Sequence, residues 1–317
     1  MADFFWWLLH NEVTFFSPAA MPATSPYRGE RVALATRHGK ERVIARALRW
    51  GLGAELLHVP SVDTDALGSF CGQVQRQGNA LQACLAKAEV AMERGGTLCA
   101  IASEGSFGPH PHLPFLAAGL ECVVFLDRRL GLSISEQALA RRTNFAHRLV
   151  EAPGSTGPDA DFSRWLKQVG FPSHALMVRP APGSGSQPEL VGPVEKGLHH
   201  WELLQSAIQR AAAASPDGLA LVETDMRAHC NPTRMAAIRE VVFRLVRRLA
   251  TPCPACHSPG WGVVDQRPGL PCGGCGRPTA WLLAQVWGCQ HCDHRQEKPR
   301  PDGLLQADPG QCQWCNP

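Results

Sequence analysis

The residues best suited to chemistry are cysteines near the end of the chain. Eight of the 13 cysteines form four Cys-x-x-Cys pairs within the last 65 residues. Two residues between cysteines let both thiolates point at one ion, and Zn²⁺ takes four soft ligands in a tetrahedron. We therefore predict two structural zinc sites with eight ligands, namely Cys253, Cys256, Cys272, Cys275, Cys289, Cys292, Cys312 and Cys315.

The order in which these pairs share two ions is open. Fifteen residues separate the first two pairs and 19 separate the last two, which is the spacing of two consecutive zinc ribbons. A cross-braced arrangement, with the first pair joined to the third, is the alternative. His257, His291 and His294 are further ligand types in the tail, but eight cysteines already fill two sites.

A second candidate site follows the short apolar run 98–102. The next residues, SEGSFGPHPHL, are polar and rich in proline, so we predict a strand that ends in a rigid loop carrying Glu104. His110 and His112 form an H-x-H pair in this loop, and with Glu104 they would suit a transition metal. The alternative is that the two histidines only pack or hydrogen-bond between the prolines.

Three more polar clusters follow predicted strands. The first suits phosphate, because Thr36, Arg37 and Lys40 stand where a helix begins. The second, Asp63 and Asp65, would bind Mg²⁺ or Mn²⁺ together with the loop carboxylate through hard oxygen ligands. The third cluster contains Asp225, Arg227, Asn231 and Arg234. Taken singly, each of the three clusters is also typical of a solvated loop or a helix cap.

The order of these motifs resembles the inosine triphosphate pyrophosphatase-like superfamily over about residues 31–127. ATRHGK is similar to the TGNxGK loop that binds triphosphate there, ACLAKA to part of the ENAxxKA helix motif, and ASEGSF to the acidic metal-binding motif. The resemblance implies that Lys40 and Lys87 contact phosphate and that Glu104 binds Mg²⁺. ATRHGKE, SEGSFGPHP, ETDMRA and NPTRM, with the cysteine-rich tail, also resemble a bacterial domain family of unknown function, which implies no activity.

These motifs need a scaffold that brings strand ends together. Apolar runs alternate with amphipathic segments, which predicts a mixed α/β fold with a largely parallel sheet flanked by helices, followed by a C-terminal pair of zinc ribbons. Strands are predicted at 31–36, 55–59, 98–102, 121–126, 175–178 and 219–223. Helices are predicted at 80–93, 161–169, 198–214 and 231–248, and Asn231 is expected to cap the last helix ahead of Pro232.

The predicted organisation has four parts. Residues 1–27 are expected to be a disordered or mis-assigned arm, with Met21 as an alternative start. Residues 28–150 form an α/β domain with the candidate phosphate and metal site, and residues 151–250 continue it and end in a basic amphipathic helix. Residues 251–317 form the double zinc-ribbon tail.

Composition argues against two classes of protein. The formal net charge of +3 is too small for nucleic-acid binding by the chain as a whole, and no stretch approaches the roughly 18 apolar residues of a membrane span. The first residues lack the positive charges of a secretion signal. We therefore expect a cytoplasmic protein whose paired cysteines hold metal rather than disulfides.

One surface still suits phosphate groups. The helix 231–248 carries five arginines against one acid, which fits a polyphosphate or RNA backbone, and the alternative is a solvated helix face. Among the unpaired cysteines, Cys230 lies in a polar stretch as the candidate nucleophile, and the others are typical of a core.

Two functions follow from these residues. The first is a Mg²⁺-dependent nucleotide (pyro)phosphohydrolase, in which Lys40, Arg37 and Lys87 neutralise phosphates while Glu104 and an aspartate of residues 62–65 hold the metal. The alternative is a non-enzymatic module that binds RNA or a protein partner through residues 231–317. If Lys40, Glu104 and the aspartates of residues 62–65 lie in one cleft of the fold, the enzyme is favoured over the binding module.

Overall fold

The computed structural model describes residues 25–60, 62, 78–110, 113–140, 142–154, 157–183 and 193–317. Its strands are β1 (Arg31–Leu34), β2 (Glu55–His58), β3 (Cys99–Pro109), β4 (Ala117–Asp127), β5 (Leu132–Leu139), β6 (His147–Glu151), β7 (Leu176–Pro180), β8 (Glu195–Leu198), β9 (Leu219–Thr224), β10 (Gly262–Pro268), β11 (Leu282–Gly288) and β12 (Arg295–Pro299). Its helices are α1 (Glu41–Leu52), α2 (Ala80–Gly95), α3 (Ala160–Val169), α4 (Trp201–Ala214) and α5 (Pro232–Leu249).

The first sheet has the order β2-β1-β3-β4-β5 and is only partly parallel. β1 pairs with β2 and β3 in parallel, whereas β3–β4 and β4–β5 are antiparallel. The second sheet, β6-β9-β7-β8, is antiparallel throughout. The fold is therefore mixed α/β, and the prediction of a largely parallel sheet is wrong. Short connections between β3, β4 and β5 leave no room for the helical crossovers that parallel neighbours require.

Helices cover both faces of the first sheet. On one face, α1 and α5 pack against alternate strand residues such as Ile101 and Phe125. On the other face, α2 packs against the intervening residues, such as Ala100 and Val124. α3 and α4 form a separate core with the second sheet. Because successive strand residues face opposite sides, this alternation fixes which side chains of β3 can meet which helix.

β3 is longer than predicted, and this changes the candidate loop. The strand continues through the polar residues to Pro109 and pairs with β4 along its whole length. The prediction that Glu104 lies in a loop after the strand is therefore wrong. The sequence pattern of this polar segment is typical of a loop. In the structure, pairing with β4 supplies the hydrogen bonds of its backbone N–H and C=O groups, so the segment is a strand.

Two structural features lie at the predicted domain boundaries. Tyr27, placed in the arm by the sequence, is fully buried and packs edge-on against Phe125, with ring centroids 5.0 Å apart. Residues 1–24 lie outside the described part of the chain. β6 spans the predicted boundary at residue 150 and pairs with β9 of the second sheet.

The cysteine-rich tail contains a third sheet, in which β10, β11 and β12 are antiparallel neighbours. Each strand lies between two successive Cys-x-x-Cys pairs. Among the helices in the described part of the chain, none has the length and apolarity that crossing a membrane requires.

Candidate functional site

The eight paired cysteines form two groups of four. The first cysteine cluster contains Cys253, Cys256, Cys289 and Cys292. The second cysteine cluster contains Cys272, Cys275, Cys312 and Cys315, and in each cluster all Sγ atoms lie within 4.8 Å of one another. The clusters can each hold a metal ion such as zinc, in agreement with the predicted ligands.

The sulfur spacing fits a tetrahedral ion rather than a disulfide. Cys253 Sγ lies 3.8 Å from Cys292 Sγ, and Cys272 Sγ lies 3.7 Å from Cys315 Sγ. Four sulfurs at about 2.3 Å from one Zn²⁺ ion are about 3.8 Å apart, whereas a disulfide requires about 2.05 Å. Gly274 donates its N–H to Cys272 Sγ, and backbone N–H groups from Cys275 and Gly274 lower the pKa of Cys272 to about 7. The thiolate form that a metal requires is thereby favoured.

The clusters are cross-braced, so the reading of two consecutive ribbons is wrong and its alternative is correct. The first pair joins the third, and the second pair joins the fourth. The cause is the antiparallel sheet: β10 leads away from the first cluster, β11 returns, and β12 leads away again. Alternating pairs must then meet at opposite ends of strands that span roughly 20 Å. His257, His291 and His294 belong to neither group of ligands in the described chain.

The first cysteine cluster is joined to the first sheet. Arg248, near the end of α5, donates to the backbone oxygens of Gly260 (3.1 Å) and Ser135 (3.2 Å) and to Glu136 Oε1 (3.0 Å). Gly260 has a φ of 96°, and a Cβ there would lie 2.0 Å from Ile134 Cδ1 of β5. Only glycine therefore permits this close approach between the cysteine tail and the sheet.

A second group of functional side chains lies in the middle of the first sheet. We call it the charge cluster: Lys40, Lys87, Glu104, Glu121 and Arg234, each no more than 7% exposed. Lys87 Nζ of α2 lies 2.6 Å from Glu104 Oε2 of β3. The carboxylate that the sequence assigned to a metal is therefore ion-paired with a lysine that the sequence assigned to phosphate.

Arg234 and Glu121 form the second ion pair of the charge cluster, on the opposite face of the sheet. Arg234 Nε lies 2.8 Å from Glu121 Oε1, and its other nitrogens reach Glu121 Oε2 and the Met226 carbonyl. Gly105, directly opposite Glu121 in the ladder, makes room, since a Cβ there would lie 2.7 Å from the guanidinium. Sequence reasoning missed Glu121. An acid next to the apolar run CVVFL was the available signal, because a buried carboxylate needs a partner.

Lys40 is the remaining cation of the charge cluster. Its Nζ donates to the backbone oxygen of Ser103 (2.8 Å), and within the described residues no carboxylate lies at ion-pair distance from it. Burial and the charges of Arg234 and Lys87 lower its pKa to about 8, although Glu104 and Glu121 oppose that effect. A buried ammonium group without an anionic partner is unfavourable unless a ligand supplies the anion.

The loops before α1 and α5 meet beside Lys40. His38 and His229 stack with ring centroids 5.3 Å apart and an interplanar angle of 19°. Burial, followed by the charges of Lys40, His229, Arg234 and Arg227, lowers the pKa of His38 to about 3. Both helix starts therefore lie near a group of cationic side chains, which is an arrangement that favours anions. Neither histidine belongs to the predicted site residues.

The third predicted polar cluster separates into local roles. Asp225 is fully buried and paired with Arg227, whose Nη2 lies 2.6 Å from Asp225 Oδ2. Burial alone would raise the pKa of Asp225, but the hydrogen bonds and charge of Arg227 lower it. Asn231 caps α5 by accepting from Arg234 N (3.0 Å), as predicted, and Pro232 is the first helical residue. Cys230 is buried, which raises its pKa to about 11 and leaves it a poor nucleophile.

The remaining predicted residues have mixed outcomes. Asp63, Asp65 and His112 lie outside the described residues. Thr36 is buried, with its hydroxyl accepting from His38 N, and Arg37 is exposed. His110 Nδ1 accepts from Leu113 N (3.2 Å). Apart from the cysteines, no three potential metal ligands lie together in the described chain, so the Mg²⁺ or Mn²⁺ site stays a prediction.

The arginines of α5 do not form one basic surface. Arg234 and Arg248 are ion-paired with Glu121 and Glu136, and Arg244 is paired with Glu240 on the same helix. Arg239 and Arg247 are the exposed arginines of this helix. Binding of RNA or a protein partner through residues 231–317 stays a prediction.

Comparison with protein families gives one match. A family described as a domain of unknown function (DUF6671) matches residues 87–317, and the chain belongs to this family. The matched range includes both cysteine clusters and every member of the charge cluster except Lys40. The comparisons do not show the resemblance to the inosine triphosphate pyrophosphatase-like superfamily. Neither the curated proteins nor the solved structures contain a match.

Proposed function

We propose that this member of the DUF6671 family binds a phosphorylated small molecule of the nucleotide class at the charge cluster and hydrolyses its phosphate ester or anhydride. The observation that carries the proposal is Lys40, a buried ammonium group whose two cationic neighbours, Lys87 and Arg234, are already paired with carboxylates. A phosphate group would supply the missing anion.

The surroundings of Lys40 support an anion in three ways. α1 begins directly after Lys40, and the positive end of its helix dipole favours an anion there. Burial, followed by the positive charges of Lys40 and His229, lowers the pKa of His38, and such cationic surroundings favour an anion. Arg37 is exposed at the same loop and can reach a ligand from the solvent side. These groups would bind and orient the phosphate.

In the proposed hydrolysis of a phosphate ester or anhydride, a bound Mg²⁺ or Mn²⁺ ion would polarise the phosphoryl group. Asp63 and Asp65 are the predicted ligands for such an ion. Glu104 Oε2 is already paired with Lys87 Nζ at 2.6 Å, so a metal ion would compete with this ion pair. We therefore assign Glu104 to holding Lys87 rather than to holding the metal.

The test is a binding and turnover experiment on the full chain. We expect phosphate or pyrophosphate release from at least one member of a panel of standard and deaminated nucleoside triphosphates with Mg²⁺ or Mn²⁺. Lys40→Met should abolish both binding and turnover, while Lys167→Met, at an exposed lysine of α3, should leave them unchanged. No release from any substrate would refute hydrolysis, and equal binding by Lys40→Met would refute the site.

A further inference from the structure

Two residues that adjoin Lys40, one by a hydrogen bond and one in the chain, each have a buried polar atom without a hydrogen-bond partner among the described residues. They are Ser103 Oγ and Glu41 Oε2. Ser103 is 4% exposed, and its backbone oxygen is the group that accepts from Lys40 Nζ. Glu41 is the first residue of α1, directly after Lys40. Buried polar atoms are nearly always satisfied in folded proteins, so such an exception requires an explanation.

Both atoms lie on the same face of the first sheet. Ser103 is two residues beyond Ile101, which packs in the core with α1, so its side chain points to that side. The register of β3 with β1 places Ser103 past the end of β1, and the side chain of Lys40, directly before α1, reaches its backbone oxygen. Glu41 is three residues before Ile44 on the helix face that packs against this core.

The chemistry of the two atoms is complementary to a metal-bound phosphate. A serine hydroxyl can donate to a phosphoryl oxygen. A carboxylate near the same phosphate would be repelled unless a cation lay between them. Mg²⁺ in nucleotide sites is commonly held by one or two carboxylates together with the substrate's own phosphates.

We propose that Ser103 donates a hydrogen bond to a phosphoryl oxygen of the ligand and that Glu41 binds the divalent cation that the phosphate carries. The inference rests on the proposed function and narrows its ligand to the divalent-metal complex of a phosphorylated compound. It also supplies, among the described residues, a carboxylate for the metal in place of Glu104.

The experiment measures binding of inorganic pyrophosphate by calorimetry, with and without Mg²⁺, to the full chain and its variants. Ser103→Ala should weaken binding about tenfold in both conditions, which corresponds to one hydrogen bond to a charged group. Its thermal midpoint should stay equal to that of the wild type or rise, since the substitution removes an unsatisfied buried hydroxyl. Ser206→Ala is the matched control, at a half-buried serine of α4 whose hydroxyl donates to the backbone oxygen of Glu202.

Glu41→Gln separates the two parts of the inference. It should abolish the tightening by Mg²⁺ and leave Mg²⁺-free binding unchanged or stronger, because a negative charge beside the phosphate is removed. Glu202→Gln, in the first turn of α4, is the control. If Ser103→Ala destabilises the fold, Ser103→Cys, similar in size and a weaker donor, replaces it.

Three outcomes overturn the inference, and they are distinguishable. Wild-type binding with unchanged affinity in Ser103→Ala refutes the hydroxyl contact. Full Mg²⁺ enhancement in Glu41→Gln refutes the metal contact. No binding of pyrophosphate by the wild type, in either condition, refutes the proposed function together with this inference.

Discussion

The cysteine tail and the charge cluster differ in how complete their side-chain chemistry is. Each cysteine cluster offers four sulfur ligands at tetrahedral spacing and requires only an ion. The charge cluster offers three cations and two carboxylates, so one ammonium group lacks a carboxylate partner among the described residues. Complete ligand sets of this kind are typical of structural metal sites, whereas an uncompensated buried charge is typical of a binding or active site.

The two cysteine clusters should differ most in their effect on the rest of the chain. Structural Zn²⁺ contributes about 10–16 kcal/mol in zinc-finger peptides, so loss of either ion should unfold the end of the tail that it holds. Cys289→Ser, in the first cluster, should also release the contacts of Arg248 and Gly260 with β5. Cys315→Ser, in the second cluster, should leave β5 and α5 unchanged.

Hydrogen exchange followed by mass spectrometry measures this difference. Faster exchange at the end of α5 and in β5 is expected for Cys289→Ser only, and metal analysis should find about one ion per chain fewer in each variant. Equal exchange in the two variants would mean that the first cluster does not support the sheet.

Within the charge cluster, stability should depend on which charge is removed. Glu121→Gln removes the carboxylate that pairs with the fully buried side chain of Arg234, and should cost about 3–5 kcal/mol. Lys40→Met removes a cation that has no carboxylate partner in the described structure, so stability should be unchanged or higher. Urea unfolding measures both. Glu297→Gln, in an exposed pair with Arg267, should cost less than about 1 kcal/mol and is the control.

The smallest expected effect is a pH dependence of stability. The pKa of Lys40 is lowered from 10.5 to about 8 in the folded chain, so between these values the unfolded state binds more protons. Stability should therefore rise with pH from about 8 to 10.5, by at most roughly 3 kcal/mol, relative to Lys40→Met. Comparison of urea midpoints of the two proteins across this range cancels other groups. A constant difference would show that Lys40 is not perturbed.

The sequence predicts the residues of the cysteine clusters but not their pairing. Cys-x-x-Cys spacing reports local geometry, which is why all eight ligands are found. The pairing depends on three antiparallel strands between the pairs, and segments such as VVDQRP have too little apolar alternation to indicate a strand. The order of the three strands therefore determines which Cys-x-x-Cys pairs share an ion, and the spacing of the cysteines alone does not.

The charge cluster was harder to predict because its partners are distant in sequence. Glu121 and Arg234 are 113 residues apart, and the sequence placed Arg234 in a polar cluster and on a basic helix rather than in the core. Glu104 was expected in a loop because Gly, Ser and Pro follow it, although hairpin pairing holds these residues in a strand. Helix α5 and its cap were predictable, since an Asn-Pro start is a local signal.

Helix α5 limits how the cysteine tail can be transferred to another protein. Its 18 residues span about 27 Å, with Arg234 in the charge cluster at one end and Arg248 against the first cysteine cluster at the other. The cysteine tail therefore does not behave as an exchangeable module. A graft of the tail onto another protein would keep its docking surface only if the last turn of α5 and strand β5 were transferred with it.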